Sequence, residues 1–160
     1  GLLITEIPRQ LPEFIGSEHE VWASDGVVIK ATLPGSYGRL WGERRFAIPP
    51  EYLHRIELAR SAFAFDWRVV GLTHEAGRVR IVTSQPFIEG TPPKWPEIDA
   101  FLKSLGFEYH ADHLGDHWIR EEDSLLVFDA EPGNLVCVPD GIAPIDLILQ
   151  EFELPVLDES

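Results

Sequence analysis

Lys30 closes the apolar run Val27-Val28-Ile29 and is one of only three lysines in the chain, with Lys94 and Lys103. In a strand it points opposite Ile29, which sets an ammonium into a sheet. Read alone, it suits an edge lysine that discourages strand aggregation. A second group is Asp129-Ala130-Glu131-Pro132-Gly133-Asn134, followed by strand-like residues, an Asp140-Gly141 turn and Asp146. Asp129 lies just after an apolar run and Asn134 just before one, so both fall at the edge of a sheet where a loop can converge them. Asp146 stands between Pro144-Ile145 and Leu147-Ile148-Leu149, a carboxylate held in an apolar strand. A buried unpaired carboxylate is costly, and a metal or a lysine is the usual remedy. Taken one at a time, these are a turn Asp, a turn Asn and a strand Asp capping something local.

A third group is His110-Ala111-Asp112-His113-Leu114-Gly115-Asp116-His117. His113 and His117 are four apart with carboxylates beside them, a spacing that suits a metal. Gly115 interrupts any helix that would present both imidazoles, and the glutamate of a zinc hydrolase helix is missing. The run reads as a polar, solvated loop before Trp118, with no zinc.

Composition narrows the chemistry further. The 160 residues fit one domain, or at most two very small ones, with a proper core. Twenty-seven acids against thirteen bases leave a net charge of −14, which argues against binding nucleic acid or an anionic membrane surface. No apolar run approaches the roughly 20 residues that span a bilayer. The single cysteine, Cys137, excludes an intramolecular disulfide and suits a reducing cytoplasm.

The elements that must position these groups are legible in outline. Leu2–Ile7 reads as a leading strand. Glu20–Ser24 and Val27–Leu33 form a hairpin across Asp25-Gly26, and Pro34–Pro50 a long loop. Glu51–Ala64 is a helix, with Tyr52, Ile56, Ala59 and Phe63 at helical spacing. Trp67–Thr73 and Arg78–Ser84 make a second hairpin. Gln85–Pro93 is a proline-stiffened connector, and Pro96–Leu105 a helix stopped by Gly106. Ser124–Phe128, Asn134–Val138 and Ile142–Leu149 read as strands, and Glu151–Ser160 as an acidic, fraying tail. This is α+β.

In order and spacing these residues resemble the protein-kinase-like fold. There a strand of the type V-A-I-K supplies a lysine to the α- and β-phosphates, an Asp precedes an Asn by five residues, and a metal-binding Asp follows. More narrowly, Val28-Ile29-Lys30, Glu51-Tyr52-Leu53, Val82-Thr83-Ser84-Gln85-Pro86-Phe87-Ile88-Glu89-Gly90 and Asp129…Asn134…Ile145-Asp146 are similar to the small serine/threonine/tyrosine kinase-like domain of bacterial and phage polyvalent proteins. The similarity runs over about residues 16–150. It departs from the usual pattern in four places. The phosphate loop would be Gly16-Ser17-Glu18-His19-Glu20-Val21, with one glycine and two acids. Glu131 replaces a basic residue, Leu147-Ile148 follows the metal Asp, and Val127-Phe128 precedes the catalytic one.

The resemblance implies a minimal two-lobed kinase-like domain with a truncated C-terminal lobe. Residues 1–84 would form the N-lobe, 85–93 a hinge, 94–150 a reduced C-lobe and 151–160 the tail, with nucleotide between the lobes. It implies ATP and Mg²⁺ as cofactors. Lys30 would hold phosphates and pair with Glu51 (Glu57 as the alternative), and Gln85 and Phe87 would sit at the adenine. Asp129 would be the base, while Asn134 and Asp146 would hold the metal. Phosphoryl transfer to a protein or small molecule is the implied activity, with a protein partner or fused domain supplying the acceptor. Only 14 residues follow Asp146 in this sequence, so no peptide-docking platform is expected. The alternative is a non-catalytic pseudokinase, or an acidic interaction module using Trp41 and Trp95.

Overall fold

A computed structural model describes residues 5–8, 10–41 and 45–152. The chain divides into two compact units, Gly1–Ile88 and Glu89–Ser160, and the division falls inside the expected connector. Among the described residues the fold is sheet-rich with two α-helices, an α+β arrangement. None of the described helices is long and apolar enough to cross a membrane.

Unit 1 is built on an antiparallel sheet of five strands in the order β1-β2-β3-β7-β6. These are β1 (Phe14–Ile15), β2 (His19–Ser24), β3 (Val27–Thr32), β6 (Arg68–Glu75) and β7 (Arg78–Pro86). Asp25 and Gly26 both take positive φ, 52° and 76°, and close the β2–β3 hairpin, as an Asp-Gly pair does at low steric cost. Alternation then sorts the side chains. Trp22, Ala31 and Val82 pack as a buried cluster with Ile7 and Ile29 on one face. Lys30 and Thr32 alternate with Ile29 and Ala31, so they point to the opposite face. Because β3 is the middle strand, paired with both β2 and β7, the edge-lysine alternative fails.

Helix α1 (Pro49–Phe63) starts where Pro49-Pro50 need no N–H bonds. The Glu51 carboxylate accepts the Ile48 N–H at 2.9 Å, satisfying one amide at the helix start. Tyr52, Arg55, Ile56 and Ala59 are its buried residues. The expected Pro34–Pro50 loop contains a short ladder, β4 (Arg39–Leu40) with β5 (Arg45–Phe46). Of the expected leading strand, Thr5–Ile7 is not extended into a ladder, although Thr5 N–H reaches the Leu72 carbonyl at 2.8 Å. Leu2–Ile4 lies outside the described residues, as does 153–160, most of the expected tail.

In unit 2, helix α2 (Trp95–Ser104) buries Ile98 and Leu102 completely. A four-stranded antiparallel sheet follows in the order β13-β10-β9-β8, and β11-β12 forms a separate ladder. The strands are β8 (Glu108–Asp112), β9 (Gly115–Arg120), β10 (Leu125–Phe128), β11 (Leu135–Val138), β12 (Gly141–Pro144) and β13 (Ile148–Glu151). Two expectations are corrected here. The histidine run is no loop but the β8–β9 hairpin, because pairing of β9 with β10 satisfies its backbone and buries Trp118. The single strand expected over Ile142–Leu149 breaks into β12 and β13, with Asp146 in the bend between them. The break sits where Pro144 has no N–H to continue a ladder and where the Ile145 and Asp146 amides turn to Asn134.

Candidate functional site

The unit 2 groups converge by strand register. Phe128 pairs with Ile148, so Asp129, one residue beyond β10, and Asp146, two residues before β13, emerge at the same end of the sheet. Asp129 takes φ 61°, a left-handed conformation that a short polar residue tolerates and a β-branched one resists. The turn that follows folds onto Asn134. Its side-chain Nδ2 donates to the Asp129 carbonyl at 2.8 Å. Its own carbonyl accepts the N–H groups of Ile145 at 2.9 Å and Asp146 at 3.2 Å. One asparagine thus ties the Asp129 loop to the Asp146 bend by three hydrogen bonds. With Nδ2 committed to Asp129, the Oδ1 end of the amide is turned the other way. Carboxylate and amide oxygens are the hard donors that Mg²⁺ takes, one or two from protein and the rest from water and phosphate. By chemical type, the side-chain oxygens of Asp146 and Asn134 are donors that would suit Mg²⁺.

In unit 1, Lys30 sits between Val21 of β2 and Thr83 of β7 and is 5 % exposed. Its Nζ lies 5.3 Å from the centroid of the fully buried Trp67 ring, a cation–π contact that offsets part of the desolvation cost. Glu51, expected to pair with Lys30, has its carboxylate bound by Nη1 and Nη2 of Arg45. Those bonds, with the Ile48 N–H, hold it below the usual carboxylate range. Glu57 stands on the exposed face of α1 beside His54. The charged residue that α1 turns inward is Arg55, whose Nη1 donates to Glu18 at 2.9 Å and whose guanidinium lies over Tyr52 and Trp67.

Gln85 is buried opposite Val28, and Phe87 is exposed, its N–H donated to the Gly26 carbonyl at 2.8 Å. The expected phosphate loop, the turn from Gly16 into β2, carries its two acids in a specific way. Glu18 pairs with Arg55 and Glu20 with the fully buried Arg80. Arg80 also binds Glu75 and donates Nε to the Thr32 carbonyl at 2.6 Å. Sequence reading missed Arg55, Arg80 and Trp67. A signal existed for Arg55: it lies three after Tyr52 and four before Ala59, inside the apolar stripe of α1.

The histidine hairpin brings His110 and His117 together with rings stacked at 5.8 Å. His117 is buried against Phe128, its Nδ1 2.9 Å from the Gly115 carbonyl. Among the described residues, no group of three or more His, Cys, Asp or Glu side chains is placed to hold a metal ion.

A lysine strand, a helix, a second hairpin, the Asp129–Asn134 loop and the Asp146 bend follow one another in the order that the kinase-like resemblance implied. The chain belongs to the family described as Serine/Threonine/Tyrosine Kinase found in polyvalent proteins, whose profile it matches over residues 5–150. No curated protein and no solved structure matches it.

Proposed function

We propose that this protein binds ATP with Mg²⁺ as a minimal two-lobed kinase-like domain and transfers the terminal phosphoryl group to a protein or small-molecule hydroxyl. Unit 1 contributes Lys30 to the phosphates and Gln85 and Phe87 to the base. Unit 2 contributes Asn134 and Asp146 to the cation, and Asp129 to take the acceptor's proton. The observation that supports this reading is the Asn134 knot, which ties the backbone of the Asp129 loop to that of the Asp146 bend at one sheet end. Mg²⁺, when bound, neutralises phosphate charge. The protein's share is positioning, which suffices for much of phosphoryl transfer.

Calorimetry with ATP and Mg²⁺ tests this. Wild-type protein is expected to bind, and Lys30→Ala and Asp146→Ala each to lose most of that affinity. Wild-type affinity in either variant overturns the assignment of that residue. A second reading, a non-catalytic interaction module, draws on exposed Trp41 and Trp95, 37 % and 51 % accessible, and on Glu131 in place of a basic residue. Under it, ATP and Mg²⁺ leave the melting temperature unchanged.

A further inference from the structure

We propose that the β8 edge of unit 2 is a docking strand for an extended basic peptide segment, which pairs beside β8 and seats a lysine or arginine side chain among Glu108, Glu121 and Glu122. The site lies within unit 2 and is independent of the nucleotide reading.

β8 pairs with β9 on one side and, among the described residues, with no strand on the other. All five of its residues are exposed, so no described segment covers that edge. Such a strand presents a row of N–H and C=O groups to solvent, a template for one more strand. Edges are commonly blunted by lysine, proline or a bulge. β8 contains neither lysine nor proline, and its ladder with β9 runs without a register shift from Glu108–Ile119 to Asp112–Gly115.

Alternation gives the two faces of this edge different chemistry. Tyr109 lies on one face, its ring edge-on to the buried Trp118. Glu108 and His110 lie on the other and, with Glu121 and Glu122 of the turn after β9, line a cavity of about 180 Å³. That is below the roughly 300 Å³ at which small-molecule sites begin, and it suits one long side chain. The carboxylates of Glu108, Glu121 and Glu122 make no hydrogen bond or salt bridge with any described residue. Arg120, which also lines the cavity, is already committed. Its guanidinium donates to Asp123 at 2.8 and 2.9 Å and to the Leu105 carbonyl at 3.0 Å, and Glu122 acts on it only at longer range.

The surroundings strengthen this field. Unit 2 holds seventeen of the 27 acids and three of the thirteen bases, so it carries the whole net charge of −14, while unit 1 is balanced at ten and ten. A second copy would bring the same acids to the edge, and like charges opposed across a ladder are destabilising. A basic segment compensates them instead. Main-chain bonds to β8 then supply affinity, and the glutamates select the sign of the partner's charge.

The test is fluorescence anisotropy of a labelled synthetic peptide of alternating lysine and threonine, titrated with the full chain at low salt. This peptide is expected to bind, and its counterpart with glutamate in place of lysine is not. Glu108→Gln/Glu121→Gln/Glu122→Gln should bind it about tenfold weaker than wild type, and thermal melts check that this variant folds. The same peptide N-methylated throughout keeps its charge and loses every backbone donor; it too should bind about tenfold weaker, and it needs no variant of the protein. Hydrogen exchange should slow in β8 on binding and not in β13, the opposite edge of the same sheet. Absence of binding, undiminished affinity of the methylated peptide or of the folded variant, or protection that misses β8 overturns the proposal. Sedimentation of the free protein as a dimer with β8 protected assigns the edge to a second copy and overturns it as well.

Discussion

Asp129 and Asn134 occupy one loop, yet they answer to different requirements. Asn134 organises the loop through its side chain and its carbonyl, whereas Asp129 contributes its carbonyl to that organisation, and its carboxylate is the group proposed as base. Substituting the carboxylate alone therefore separates binding from turnover. Asp129→Asn is expected to keep ATP affinity within about twofold and to lower turnover by about 10² or more, the scale of general-base effects. Calorimetry and a phosphate-release assay on the same preparation decide it, and equal losses in both make Asp129 structural. Arg80 is the opposite kind of residue. It is fully buried, bound to two carboxylates and a carbonyl, and it cross-links β7 to its neighbours with no chemistry assigned to it.

At the scale of elements, the start of α1 and the β8–β9 hairpin each carry a prediction. Glu51 is held below its ordinary pKa, first by the Arg45 hydrogen bonds and then by the Ile48 N–H. A depressed carboxylate stabilises the fold above its unfolded pKa, and that contribution disappears as pH falls through the folded value. The stability gap between wild type and Glu51→Gln should therefore be full at neutral pH, at most about 1 kcal/mol for so exposed a pair, and should close below about pH 4. Urea titrations across that range check the sign; a gap that widens on acidification contradicts it. In the hairpin, His110 and His117 face each other across the ladder while His113 is exposed beyond the end of β8. Protein purified without chelator or metal-affinity resin should carry no stoichiometric zinc by elemental analysis. One zinc per chain, lost in a His113→Ala/His117→Ala variant, would show the opposite.

For the whole molecule the net charge of −14 is the governing quantity. Like charges repel in the compact state, and salt screens them with a Debye length falling from about 30 Å at 0.01 M to about 8 Å at 0.15 M. The melting temperature should rise across that interval. A fall would mean that ion pairs such as Arg45–Glu51 and Arg120–Asp123 outweigh the general repulsion.

Much of the local structure was written in short-range chemistry. Asp25-Gly26 and the alternating residues around it specify one hairpin, and Pro49-Pro50 with the Tyr52 stripe specify a helix, because turn geometry and periodicity act within a few residues. The order of Lys30, Asp129, Asn134 and Asp146 was legible for the same reason, as was the kinase-like family it belongs to. What the chain alone could not decide were matters of partner choice between distant segments. The β8–β9 hairpin looks like a polar loop until β10 supplies its missing hydrogen bonds. Asp146 looks like a strand residue until the Asn134 carbonyl takes its N–H. Glu18 looks like an obstacle to phosphate until α1, thirty-seven residues later, turns Arg55 toward it. Each of these rests on a charge or a backbone group that is costly to bury alone, and only the tertiary structure determines which group compensates it.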